Sequence, residues 1–171
     1  QRKLAEDQRK EAEQARAAMG IDELTVVADR GYFKSEQIRQ CDAAGITPLV
    51  PKSMTSNSKA EGRFDKQDFI YIASDDEYRC PAGQRAIKRF TTIEAGLTLH
   101  KYWSSACPRC ALKARSTPSP YRRIARWEHE AVLEAMQLRL DRQPEMMRVR
   151  RQRAEHPFGT IKSWMGWTHF L

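Results

Sequence analysis

The chain has 171 residues, enough to bury one domain core, or one domain carrying an insertion. Thirty Lys and Arg against 22 Asp and Glu give a formal net charge of +8 and a pI near 9.5, a balance that favours an anionic partner, most commonly nucleic acid. No apolar run approaches the length of a membrane span and no signal-peptide pattern opens the chain, so neither a membrane nor a secreted role is expected.

Residues 1–19 are dense in Gln, Glu, Arg, Lys and Ala, which predicts a mostly solvated helix ended by Gly20. Leu24 to Ala28 is a short apolar run rich in β-branched residues and reads as a buried strand. Asp29 sits where that strand stops, and Gly31 permits the tight turn that follows. Ser35 is the expected N-cap of a helix with Glu36 in its first turn. Ile38, Cys41 and Ala44 recur at helical spacing, which makes Cys41 a core residue, and Gly45 is the expected C-cap. Ile46 to Val50 is the next strand, with Pro48 placing it at a sheet edge and Pro51 ending it. The three elements make a β-α-β unit, the seed of a parallel sheet.

Residues 53–66 read as a polar loop. From Phe69 to Leu99 short runs alternate with turn residues, predicting antiparallel strands at Phe69–Ile72, Glu77–Cys80 and Ile93–Leu99, with Lys101–Trp103 adding another. Residues 107–120 hold Cys107-Pro-Arg-Cys110 and further prolines. From Tyr121 or Arg126 the pattern turns helical, with Val132, Leu133, Met136 and Leu140 as an apolar stripe. Pro144 suits the first turn of a last helix that carries Met147, Arg151, Ala154, Glu155 and Phe158, and Pro157 should kink it.

Two acids stand out. Asp29 either caps a turn or lies at the carboxyl end of a buried parallel strand, where open α/β sheets bind ligands. Arg151, Glu155 and Lys162 are spaced i, i+4, i+11 and fall near one azimuth of a helix. They form either a solvated ion-paired face or a metal-bound carboxylate flanked by phosphate-binding cations. Arg148, Arg150, Arg151 and Arg153 make a basic run of which only some members can face one DNA backbone. Trp164 and Trp167 suit base stacking or core packing equally, and His156 reads as structural. Cys80, Cys107 and Cys110 are either three loop thiols or zinc ligands in need of a fourth, for which His100 is a candidate that nothing in the sequence positions.

The wording of these segments resembles the DDE transposases of bacterial insertion sequences. The match is to the branch with a Tyr-x-x-Arg-x-x-x-Glu-x-x-x-x-x-x-Lys signature. Arg151, Glu155 and Lys162 fit it, Glu155-His-Pro-Phe-Gly159 is the family's wording around the acid, and Ala28-Asp-Arg-Gly-Tyr-Phe33 resembles the segment of its second catalytic Asp. Arg148 stands where the signature has Tyr. Tyr78-Arg-Cys-Pro-Ala-Gly83 and the Cys107–Cys110 pair resemble a Cys-bearing insertion, with Ser116 where a further Cys is usual.

The resemblance implies an α/β fold, a partial ribonuclease-H-like core interrupted by a small β-rich, Cys-containing insertion. The expected parts are 1–56 (helix and strand-helix-strand), 57–122 (insertion) and 123–171 (C-terminal helical part). It implies metal-dependent DNA cleavage and strand transfer, with Asp29 and Glu155 holding Mg2+ or Mn2+ and Arg151, Lys162 and Arg148 touching DNA. Arg151 has a second expected role, holding the Glu155 carboxylate in its metal-facing rotamer. Zn2+ at the cysteines is a second candidate metal. DNA is the implied partner, with a homodimeric synaptic complex left open, in a bacterial cytoplasm. The family's first Asp lies on an early strand that this sequence does not show, so the chain is expected to be a C-terminal catalytic part that does not cut DNA alone. The alternatives are a non-catalytic DNA-binding remnant and a zinc-ribbon interaction module.

Overall fold

A computed structural model describes residues 2–52 and 58–155. It has mixed α/β structure in two compact units, one of Gln1–Ser53 with Ala131–Leu171 and the other of Met54–Glu130.

The first unit opens on helix α1 (Arg2–Met19), which stops at Gly20 with φ +62°. Strand β1 (Leu24–Val27), helix α2 (Ser35–Ala43) and strand β2 (Ile46–Leu49) follow. β1 and β2 pair in parallel, Leu24 opposite Ile46 through Val27 opposite Leu49, so the β-α-β unit is present. β2 is largely buried, but β1 is half-exposed rather than the buried strand expected. Only β2 pairs with it among the described residues. Ile38 faces the core at 2 % exposure, whereas Cys41 is only partly buried. Ser35 begins α2 but does not cap it. Lys34 holds the cap position, with no side-chain cap bond. The far end is better served. Gly45 (φ +71°) follows the cap residue Ala44, and Arg16 Nη1 donates to the Ala44 carbonyl at 2.8 Å.

The second unit is an antiparallel sheet whose strands follow chain order: β3 (Ile70–Ile72), β4 (Glu77–Arg79), β5 (Arg85–Glu94), β6 (Leu97–Trp103) and β7 (Ile124–Trp127). Phe69, Tyr78, Ala86, Tyr102 and Ile124 form its core. Two expectations need correction. The run Ile93–Leu99 is no strand but the end of one, a turn and the start of the next. Ala95 (φ +50°) and Gly96 (φ +81°) make the two-residue hairpin that joins β5 to β6. The segment expected to be helical from Tyr121 or Arg126 is instead β7. Arg126 disguises it, because its guanidinium is buried, 3.7 Å over the Tyr71 ring and bonded to Tyr78 Oη at 3.3 Å. Helix α3 (Lys113–Ser116) lies in the connection from β6 to β7.

Asp76 (φ +47°) accepts the hydroxyls of Tyr71 at 2.8 Å and Tyr102 at 2.6 Å. Burial pushes the Asp76 carboxyl up, but the Tyr102 and Tyr71 hydroxyls outweigh it and hold the group below its usual range. Burial, then the Asp76 charge, pushes the Tyr102 phenol well up.

The chain then re-enters the first unit through helix α4 (Glu130–Arg142), where Leu133, Met136 and Leu140 are buried as the stripe predicts. Both terminal nitrogens of Arg139 reach Asp42 Oδ1 of α2 at 3.1 Å. Helix α5 (Glu145–Arg150) runs directly into a π-helical turn, Arg151–Glu155. The sequence carries Pro157 two residues on, which has no N–H to return to the Arg153 carbonyl, a cause for widening the preceding turn. Expectations for His156, Pro157, Phe158, Lys162, Trp164 and Trp167 lie outside the described residues.

Candidate functional site

Asp29 follows β1 directly and opens the 3-10 turn Arg30–Tyr32. Its Oδ1 accepts the Gly31 N–H at 2.9 Å, the Asx-type bond that an acid makes at a turn. A Cβ at Gly31 would stand 3.1 Å from that oxygen, so the carboxylate would have to give by a few tenths of an ångström. Oδ2 points elsewhere and receives Arg150 Nη2 of α5 at 3.0 Å. The turn-capping reading of Asp29 thus holds for Oδ1, and Oδ2 faces a guanidinium. Asp29 keeps 46 % of its side chain exposed and Arg150 keeps 18 %.

α5 lies beside β1, so the residues at its end approach the strand terminus that carries Asp29. Arg148, Arg151 and Arg153 are exposed, as a basic surface requires. Arg150 is the member of the run that turns inward. Reading the sequence had not paired it with Asp29. The available signal was Met146, four residues earlier on the same helix face and partly buried like Arg150. The Glu155 backbone closes the π turn, and its side chain and Lys162 lie outside the described residues.

The chemistry of Asp29 suits a hard divalent cation: a half-exposed carboxylate at a strand end, one oxygen of which already attracts positive charge. The cysteines differ. Cys80, Cys107 and Cys110 do line one cavity of about 30 Å³, and Ser116 and Arg122 line it with them. The Cys107 sulfur accepts the Arg122 N–H at 3.4 Å, and buried Arg122 Nε has no partner. His100 is not among the lining residues and bonds Thr91 through Nδ1 at 2.9 Å. Among the described residues no group of three or more His, Cys, Asp or Glu could hold a metal ion. A hydroxyl in the fourth place and a guanidinium in the wall do not fit zinc.

A parallel strand pair thus ends on an acid, with a helix bearing a basic run beside it, at the end of an α/β strand where ligands commonly bind. The family model of the transposase DDE domain matches residues 3–171, and the chain belongs to that family. DNA transposition is the process in which it serves. No curated protein and no solved structure matches the chain. Among the described residues no helix is long and apolar enough to cross a membrane.

Proposed function

We propose that this chain is catalytic-core sequence of a bacterial insertion-sequence transposase of the Tyr-Arg-Glu-Lys branch. On this reading the first unit is part of a ribonuclease-H-like core and the Cys-containing β-rich unit is an insertion within it. Asp29 and Glu155 are two of its metal-holding carboxylates, and Arg148, Arg151 and Lys162 contact the DNA backbone. The observation that carries the proposal is the Arg150–Asp29 bond, which ties the helix leading into Glu155 to the strand end bearing the first acid. Six residues of connected helix and turn, Arg150 to Glu155, thus start from an anchored point.

When bound between these acids, Mg2+ or Mn2+ polarises the phosphoryl group and stabilises attacking and leaving oxygens. The chain's own residues do the rest. Gly31 N–H fixes the Asp29 carboxylate by one oxygen and leaves the other for a cation. Exposed Arg148 and Arg151 set phosphates near the acids, and their charge-assisted bonds position the backbone without reading sequence.

The test is a calorimetric Mn2+ titration of the chain against Asp29→Asn and Glu155→Gln. Each variant should lose most of the binding. Unchanged binding in either one removes that residue from the site.

A further inference from the structure

The far face of the five-stranded sheet carries a second cluster. Strand pairing sets Ile87 of β5 opposite Trp103 of β6, and Arg123 directly precedes β7, whose first residue Ile124 lies opposite Tyr102. Tyr102, the neighbour of Trp103, is fully buried in the core, so Ile87 and Trp103 project from the opposite face. A bulge between Lys88 and Phe90 inserts Arg89 at the same place. The guanidiniums of Arg89 and Arg123 stand 5.5 and 5.6 Å from the Trp103 ring centroid. Phe90 meets that ring edge-on at 5.8 Å, and Tyr121 lies at 6.2 Å.

The cluster is built and open. Arg89 is held by Ser105 Oγ at 2.6 Å and by the Trp103 carbonyl at 3.3 Å. Neither Arg89 nor Arg123 pairs with a carboxylate among the described residues. Phe90 is 48 % exposed and Ile87 38 %. The surrounding chain is one-signed: from Ala82 to Arg123 there are nine Lys and Arg and a single acid, Glu94, which Lys101 already neutralises at 2.7 Å. An exposed Phe90 beside a half-buried Trp103, flanked by cations without a carboxylate partner, suits a polymer that offers flat π-faces and regularly spaced negative charge. A duplex hides its base faces, and a single strand presents them.

We propose that this sheet face binds single-stranded DNA, with a base stacked in the Phe90–Trp103 cluster and the adjoining phosphates on Arg89 and Arg123. The proposal rests on the transposase reading only for the choice of DNA as the polymer. It does not use Asp29, Glu155 or a metal ion.

The experiment is fluorescence anisotropy of labelled dT20 with the full chain in EDTA, with a 20-base-pair duplex as second probe. Trp103→Ala should weaken dT20 binding about tenfold and duplex binding less than about twofold, and Trp103→Phe should stay within about threefold of the parent. Arg89→Gln with Arg123→Gln should reduce the slope of log affinity against log salt by about 1.4, two phosphates at about 0.7 each. The double variant keeps the rings, so it carries the test if Trp103→Ala melts early. Parent-like dT20 binding and slope in the arginine variant, or equal losses on both probes in Trp103→Ala, would overturn the proposal. Because EDTA removes divalent ions, those results can fail while the Mn2+ titration succeeds, and the reverse.

Discussion

Asp29 divides its two oxygens between a turn and a helix, and the division can be tested from both sides. Removing the cation that faces Oδ2 should leave the fold nearly intact, because the pair is partly exposed and such pairs contribute little. Arg150→Gln should cost less than about 1 kcal/mol in urea denaturation and should weaken Mn2+ binding, since the helix leading into Glu155 loses its tie to the Asp29 strand end. Tighter Mn2+ binding would mean that Arg150 shields the acid rather than tying the helix to it. Gly31→Ala acts on Oδ1. The added Cβ would crowd that oxygen at 3.1 Å, so the carboxylate must turn. A loss of about 1 kcal/mol together with weakened Mn2+ binding is expected. Retained metal affinity would free the site from this turn. At this scale the sequence was informative about Asp29 and silent about its partner. Strand, acid and glycine are adjacent in the chain, whereas the Arg150 contact spans 121 positions and no local pattern encodes it.

The elements differ in how openly the sequence displays them. β1, α2 and β2 were legible because apolar spacing and turn residues agree there. The β5–β6 hairpin was hidden because Ala95 occupies a left-handed position that usually announces itself with Asn or Gly. β7 was hidden because a buried arginine breaks its apolar alternation, and its compensation, two tyrosines, lies on other strands. Tyr71 and Tyr102, through their bonds to Asp76, make the sheet pH-sensitive. The folded state holds Asp76 below its ordinary value of 3.8. A carboxyl lowered on folding adds stability that is fully present above the unfolded pKa and is lost as pH falls through the folded one. The β-rich unit should therefore lose stability below about pH 4 in acid titration followed by near-ultraviolet circular dichroism. Asp76→Ala should remove that part of the acid dependence and cost about 2 kcal/mol at neutral pH, through two charge-assisted hydroxyl bonds. An acid profile equal to the parent's would assign the stability to another group. On the last helix, Arg151→Ala with Lys162→Ala should flatten the salt dependence of duplex binding by about 1.8 in log–log slope, two phosphates at about 0.9 each. An unchanged slope would remove both from the backbone contacts.

For the whole molecule, the chain belongs to the transposase DDE-domain family, and the unit with the antiparallel sheet lies in sequence between the segments bearing Asp29 and Glu155. A metal pair needs several carboxylates, and the proposed site supplies two, Asp29 and Glu155. The 171-residue chain is therefore expected to bind DNA without nicking supercoiled plasmid in Mg2+ or Mn2+. Robust nicking that disappears in Asp29→Ala would show that the acids present suffice. The central claim is that Asp29 and Glu155 share one ion despite a separation of 126 positions in the chain. Iron-directed backbone cleavage addresses it most directly. Fe2+ loaded in place of Mg2+, with ascorbate and peroxide, cuts the polypeptide only near the bound ion, and mass spectrometry reads the cut sites. The account predicts two clusters of cuts, one at Asp29–Gly31 and one around Glu155, both suppressed by excess Mg2+ and both absent in Asp29→Asn. Cuts at one of the two segments alone, or at sites near neither acid, would contradict it.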